Sequence, residues 1–279
     1  MTEEITPSQT ALFSAAARAA HPIVDQQPHL LRDEPAAQLC KLVTPSPLDF
    51  QLAQPEVGVL AAARLSACAR SRYADASLSE TRVDQVVVIG AGLDTTAFRL
   101  PSALDAKVWL IDRPGVLAWR TQLFDRAGLP DTTRHIAADL AEGFDVRLLG
   151  RAGVDLHRPV LVVWLGVSMY LHPADCRTFL GDLSELAAGS RLIFDYHLAP
   201  EFRDQPGAEY AKAVAAMAGH QGEPWQCSST PEEMGKWLAE HDWQLQEDVD
   251  ESSSVPEGFF ANQEHLQPMK LVRLVQVMR

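Results

Sequence analysis

Hydrophobic and polar positions along the chain change their period near residue 85. From Pro7 to about Leu78 apolar residues recur at helical spacing in an Ala-rich stretch. Ser8 stands where it can cap SQTALFSAAARAA, and EVGVLAAARLSACARSRYA carries few β-branched residues; the Pro-containing run VTPSPLDFQLAQPE breaks the helical pattern between them. From Gln85 onward short β-branched runs take over: QVVVIG, AKVWLID, RHIAAD, RPVLVVWLG and SRLIFDYHL. Helical segments separate them: PGVLAWRTQLFDRAG, AEGFDVRLLGRAG and PADCRTFLGDLSELAAG, with Pro114 and Pro173 in first turns and Gly128 and Gly189 at helix ends. Strands apolar on both faces and separated by helices predict an α/β fold with a doubly wound, Rossmann-like parallel sheet.

Beyond the fifth strand, residues 199–230 form a long excursion with a helical middle. The segment TPEEMGKWLAEH then opens cleanly: Thr230 caps, Pro231 fills the first position and Glu233 closes a capping box. WQLQEDVD and MKLVRLVQVMR add two strands, the last open to an antiparallel orientation, for a seven-stranded, mostly parallel sheet. The expected organisation is one domain over 1–279. It has a helical cap (1–80), a ligand-binding core (85–198), a lid insertion (199–230) and the C-terminal part of the sheet (231–279).

Composition narrows the partners. A formal net charge of −13 argues against general affinity for nucleic acid or an anionic membrane. The four cysteines form no CxxC pair, which argues against a zinc knuckle and a disulfide framework and for reduced thiols. MTEEITPSQT carries acids and no apolar core, and no apolar run approaches the roughly 20 residues of a membrane span. A soluble cytoplasmic protein is expected, with no metal site and with its oligomeric state left open.

The candidate chemistry lies in VVVIGAGLDTT, residues 86–96, where Gly90, Ala91 and Gly92 turn a first strand into a helix. Such a bend holds a dinucleotide, a phosphate, an S-adenosyl group, or nothing but a tight turn. A dinucleotide wants a third glycine where Thr95 stands, and Asp94 would put a negative charge beside its pyrophosphate. A phosphate-free ligand with an ammonium group suits Asp94 better. Asp112 ends the second strand about twenty residues on, where an acid accepts both ribose hydroxyls. Asp139 follows the third strand, placed to accept from an adenine amino group while Leu140 packs on the ring. Each acid alone reads equally as a helix cap or loop acid; in chain order at successive strand ends they point to S-adenosylmethionine.

The pieces ARSRYADASL, QVVVIGAGLDTTAFRL, VWLIDRPGVLAWR, AADL, VVWLGVSMYL and GEPW-x6-PEEM run in order from about residue 68 to 235. In them the chain resembles the leucine carboxyl methyltransferase (PPM-type) O-methyltransferases, including the bacterial tetracenomycin-type polyketide carboxyl methyltransferases. The resemblance implies a class I S-adenosylmethionine-dependent fold with Gly90 and Gly92 beneath the methionine portion, Asp112 on ribose, and Asp139 with Leu140 on adenine. It also implies an arginine on the methionine carboxylate, Arg70 with Arg72 in reserve. Ala91, Asp94, Arg113, Trp164 and Leu165 complete the expected contacts. One departure stands out: members that methylate a phosphatase tail carry glutamate in an EG-x-x-x-YL pattern where this chain has Leu165. That favours a small natural product over a protein tail.

The expected activity is in-line methyl transfer to a carboxylate of a small, polyketide- or peptide-like secondary metabolite. Such an acceptor is already ionised and needs no base. A phenol or enol oxygen would gain from one, and His197 is the candidate, with a packed histidine as its plain alternative. Tyr170 is expected to line the acceptor pocket and Asp195 reads as a strand-end acid. Phe202, Tyr210, Met217 and Trp225 either contact an apolar acceptor or fill the core of the cap, and Arg203 is a candidate clamp for its carboxylate. A Rossmann-type dehydrogenase and a non-catalytic binding module are the readings from other classes.

Overall fold

Each of the seven runs expected to be strands becomes one: β1 Gln85–Ile89, β2 Lys107–Asp112, β3 Arg134–Ala137, β4 Leu161–Trp164, β5 Arg191–His197, β6 Gln244–Asp250 and β7 Val272–Met278. They form one sheet in the order β3-β2-β1-β4-β5-β7-β6 in a computed structural model that describes residues 5–81, 83–99, 105–220 and 222–279. β1 to β5 pair in parallel, and β7 runs antiparallel between β5 and β6. Chain order reverses at β1, which lies between β2 and β4, and a crevice opens beyond the carboxyl ends of strands at such a point.

β1 and β4 are buried along their whole length because helices cover both faces. Trp109, Trp164, Phe179 and Phe194 pack on one face; Tyr73, Leu78, Val88 and Ile193 pack on the other. The edge strand β6 is polar and exposed over Gln244–Glu247 and carries a register shift between Leu245 and Glu247, both of which discourage pairing with another chain.

The helices are α1 Gln9–Val24, α2 Glu34–Cys40, α3 Pro47–Ala53, α4 Gly58–Glu80, α5 Thr96–Arg99, α6 Pro114–Ala127, α7 Arg147–Arg151, α8 Pro173–Leu183, α9 Gln205–His220 and α10 Pro231–Glu240. Ser8 caps α1 by accepting from the Ala11 N–H (3.2 Å), and both halves of the Thr230–Glu233 capping box form. Two segments differ from the sequence reading. The run VTPSPLDFQLAQPE contains α3, because Pro47 occupies a first-turn position and so starts a helix. AEGFDVRLLGRAG is a 3₁₀ turn, Leu140–Glu142, followed by α7, since Gly143 (φ +96°) breaks the helical path between them.

α1 packs against α2, α3 and α4 and so lies over the sheet's crevice. Arg64 of α4, fully buried, holds it there by donating to both oxygens of Asp25 (2.8 and 2.9 Å). Among the described residues no helix is long and apolar enough to cross a membrane.

Candidate active site

A cavity of about 900 Å³ lies at the carboxyl ends of β1 to β4, roofed by α1, α4 and α9. Its floor is the glycine bend. Gly90 and Gly92 have φ of +66° and +44°, and a side chain at either would collide with a neighbour. A Cβ would come to 2.2 Å from Val167 Cγ2 at Gly90 and 2.7 Å from Ala11 Cβ at Gly92. The bend is therefore a cradle in which only backbone fits. Buried guanidiniums tie its carbonyl oxygens back: Arg120 donates to Asp94 O (2.6 Å) and Gly92 O (3.3 Å), and Arg18 donates to Leu93 O (2.8 Å). Thr95, at the position of a dinucleotide motif's third glycine, instead donates its hydroxyl to Asp33 (2.6 Å).

The acids of the bend have distinct settings. Asp112 accepts from the Gly92 N–H through one oxygen and from the Arg113 N–H through the other, both at 2.7 Å. Burial raises its pKa against these hydrogen bonds and the Arg113 charge. Each oxygen keeps a lone pair for a ligand donor. Asp139 caps the 3₁₀ turn, one oxygen accepting from the Ala141 N–H (3.0 Å), and lines the cavity with Leu140. Asp94 also lines it, but both of its oxygens are engaged by Thr96, from the backbone N–H (2.8 Å) and the hydroxyl (2.9 Å). Ala91 and Leu165 are lining residues, as is Arg113, which reaches Glu223 of the lid (3.0 Å).

Arg70 and Arg72 part company. Arg70 enters the cavity and donates to Asp195 (2.9 Å), whose other oxygen accepts from the Gly166 N–H (2.7 Å). Burial works against the Arg70 charge, but Asp195 and Glu251 more than offset it and hold its pKa above the ordinary arginine value. Arg72 does not line the cavity; it donates to the Ser254 carbonyl (2.9 Å), two residues round the helix from Arg70 and so on a different face. Trp164 is likewise corrected: 1% exposed, it packs on Phe179 and Phe194 and does not line the cavity, because strand alternation sends it to the opposite face from Val163 and Leu165.

At the acceptor side, His197 is 3% exposed and lies edge-on to Trp225 (4.2 Å between centroids) with no partner for Nδ1. Burial, then the charges of Arg70 and Arg203, lower its pKa to about 3. Tyr170 lines the cavity and burial raises its pKa. Tyr210, Met217 and Trp225 line it too, whereas Phe202, 49% exposed, and Arg203, which donates to Leu198 O, do not.

The sequence profile of the leucine carboxyl methyltransferase family matches residues 11–183. A Mycolicibacterium smegmatis protein named for S-adenosyl-L-methionine-dependent methyl transfer is 30% identical over 85% of this chain and 81% of its own length. The chain belongs to the leucine carboxyl methyltransferase family. Two solved structures share the fold. One is a Thermobifida fusca protein assigned as a methyltransferase (TM-score 0.62, 19% identity, 98% of this chain and 95% of that one). The other is a DUF574-family protein of Streptomyces avermitilis (TM-score 0.63, 16% identity, 95% and 97%). The chain is an S-adenosylmethionine-dependent methyltransferase.

The methyltransferase's cavity fits that cofactor on its own terms: a cradle closed to side chains, a carboxylate with two free lone pairs at Asp112, and an acid-paired cation at Arg70. Glu223 is a participant that sequence reasoning passed over, and Asp195 one that it read only as a strand-end acid. Asp195, 0% exposed, ties Arg70 to the turn after β4. Glu223 joins Arg113 to Thr10 of α1 (2.5 Å) across the cavity mouth. The only sequence signal for Glu223 was its place in GEPW, and for Asp195 its parity with His197 on β5.

Proposed function

We propose that this methyltransferase esterifies the carboxylate of a small, largely apolar acid, a secondary metabolite of polyketide or peptide type. The observation that carries the reading is His197. With a pKa near 3 it is neutral at physiological pH and a very weak proton acceptor, and both Tyr170 and Tyr210 are shifted away from ionisation by burial. A phenol or enol would gain from handing its proton to such a group; a carboxylate arrives without one. The His197-base alternative is the weaker reading on that ground.

The cofactor supplies a sulfonium-activated methyl. Asp112 and Asp139 would hold its nucleoside, the Gly90–Gly92 bend would underlie the amino-acid portion, and Arg70 would meet its carboxylate. Tyr170, Tyr210, Met217 and Trp225 would orient the acceptor and exclude water, a positioning effect worth ~7–11 kcal/mol in the best intramolecular cases. The Phe50, Val57 and Met217 side chains at the wall are partly exposed, which supports an apolar acceptor body entering between α3 and α9. Such an acceptor would suit a member of the tetracenomycin-type branch, which the motifs resemble. The four free, buried cysteines support action in the reducing cytoplasm, and the net charge of −13 supports a small-molecule partner rather than nucleic acid or membrane.

Incubation of the enzyme and S-adenosylmethionine with a panel of apolar carboxylic acids and matched phenols tests the proposal by mass spectrometry. The expected product is an acid carrying one added methyl that mild base removes. Methylation of the phenols alone, lost in His197→Ala, would transfer the assignment to a base-assisted O-methyltransferase.

A further inference from the structure

Behind Arg70 lies a second acid. Glu251 opens the 3₁₀ turn after β6, is 0% exposed, and neither of its carboxylate oxygens has a hydrogen-bond partner. The groups that face it are Ser66 and Arg70 of α4, Asp195 of β5 and Tyr210 of α9. β7 also packs on this turn, and its Arg273 is engaged with Asp248 and Asp250. Arg72 donates to the Ser254 carbonyl just beyond the turn. One guanidinium therefore serves two buried carboxyls, and its hydrogen bond goes to Asp195.

A carboxylate arriving in the cavity at Arg70 makes a third acid on the same cation. Burying an unpaired charge in that setting is costly, and a carboxyl escapes the cost by binding a proton. We propose that Glu251 is a positioning residue for Arg70, taking up a proton from solvent as the carboxylate of the cofactor docks, so that cofactor binding is proton-linked. The inference rests on the reading that Arg70 receives that carboxylate. Burial, opposed chiefly by the Arg70 charge and reinforced by Asp195, already raises Glu251 to about 7. The group is thus divided between its two forms at neutral pH before any ligand arrives.

Isothermal titration of the intact protein with S-adenosylhomocysteine, in phosphate and in Tris at pH 6, 7 and 8, counts the protons exchanged. Expected uptake is about 0.1, 0.5 and 0.9 proton per ligand bound, with affinity falling about tenfold from pH 6 to pH 8. 5′-Methylthioadenosine, which lacks the amino-acid portion, should bind with no proton uptake over the same range. Glu251→Gln should bind S-adenosylhomocysteine with the uptake abolished; should that variant not fold, the wild-type comparison of the two ligands decides alone. Absence of uptake at pH 8, equal uptake with both ligands, or undiminished uptake in Glu251→Gln would overturn the role of Glu251 and leave the cofactor site standing. Failure of both ligands to bind at any pH would remove the site and this inference together.

Discussion

Asp112→Asn isolates the contact on which the nucleoside site depends. The wild-type carboxylate accepts one backbone N–H on each oxygen, from Gly92 and from Arg113, and in the proposed site its remaining lone pairs would go to two ribose hydroxyls. Hydrogen bonds to a charged group are worth ~1.5–3 kcal/mol and neutral ones ~0.5–1.5, so neutralising this acceptor removes roughly 2–3 kcal/mol over two contacts. That is about 30- to 150-fold in Kd for S-adenosylhomocysteine, measured by isothermal titration. The asparagine also sets its amide N–H against one of the two backbone donors, but that conflict exists with and without ligand and cancels from the affinity. It enters stability instead, where it is opposed by a gain. Because the folded pKa of Asp112 is raised by burial, its ionised form is unfavourable to the fold above that pKa, and asparagine removes the charge. The expected signature is a large loss of affinity without a comparable loss of melting temperature. A Kd within about threefold of wild type would show that Asp112 does not hold the ribose.

Three further outcomes follow from the geometry. His197, folded near pKa 3 against about 6.5 when unfolded, contributes its full stability above pH 6.5 and loses it as pH falls toward 3; between pH 7.5 and 5 the loss is about 2 kcal/mol. Glu251, raised to about 7, shifts stability the opposite way over the same window, so the His197 part is read as a difference. Denaturant titrations should show wild type losing about 2 kcal/mol more than His197→Phe between pH 7.5 and 5, and equal slopes with pH would refute the neutral, buried imidazole. Gly90→Ala meets both a left-handed backbone and the Val167 methyl, costing about 2–4 kcal/mol, of which the steric part should return in the double variant with Val167→Ala. Glu223→Ala unties Thr10 and Arg113 at the cavity mouth, a partly exposed clasp worth about 1 kcal/mol. Stopped-flow dissociation of S-adenosylhomocysteine should quicken about fivefold, and an unchanged rate would place the exit path elsewhere.

What the sequence disclosed and what it withheld divide along physical lines. Strands flanked by helices on both faces need uninterrupted apolar runs, so the central strands were legible, as was the glycine bend that leaves room for backbone alone. The polar edge strand β6 showed only a weaker pattern, and the reversal at β1 came with the structure. Periodicity says that neighbours lie on different faces; it does not say which face meets the ligand. Arg70 could therefore be favoured but Arg72 not dismissed until α4 was seen to turn Arg70 toward β5 and Arg72 toward the turn after β6. The same ambiguity put Trp164 beside Leu165 in the expected site, although alternation gives the cavity Leu165 and the core Trp164.

The electrostatic part of the site was the least visible, because it is assembled from segments far apart in the chain. Arg70 receives Asp195 from 125 positions away and Glu251 from the far end of the sheet, and no local pattern encodes that meeting. Nor does composition: a histidine at a strand end reads as a base or as a packed side chain until burial and two nearby guanidiniums are known to weaken its hold on a proton. Asp195 shows why this matters for function. Tied to both Arg70 and the Gly166 N–H, it couples the cation at the expected amino-acid end of the cofactor site to the loop that carries Tyr170 toward the acceptor. A carboxylate that bridges those two walls sets their spacing, which in-line transfer depends on. The residue the sequence presented as a plain strand-end acid is the one whose geometry joins the two walls between which cofactor and acceptor are proposed to meet.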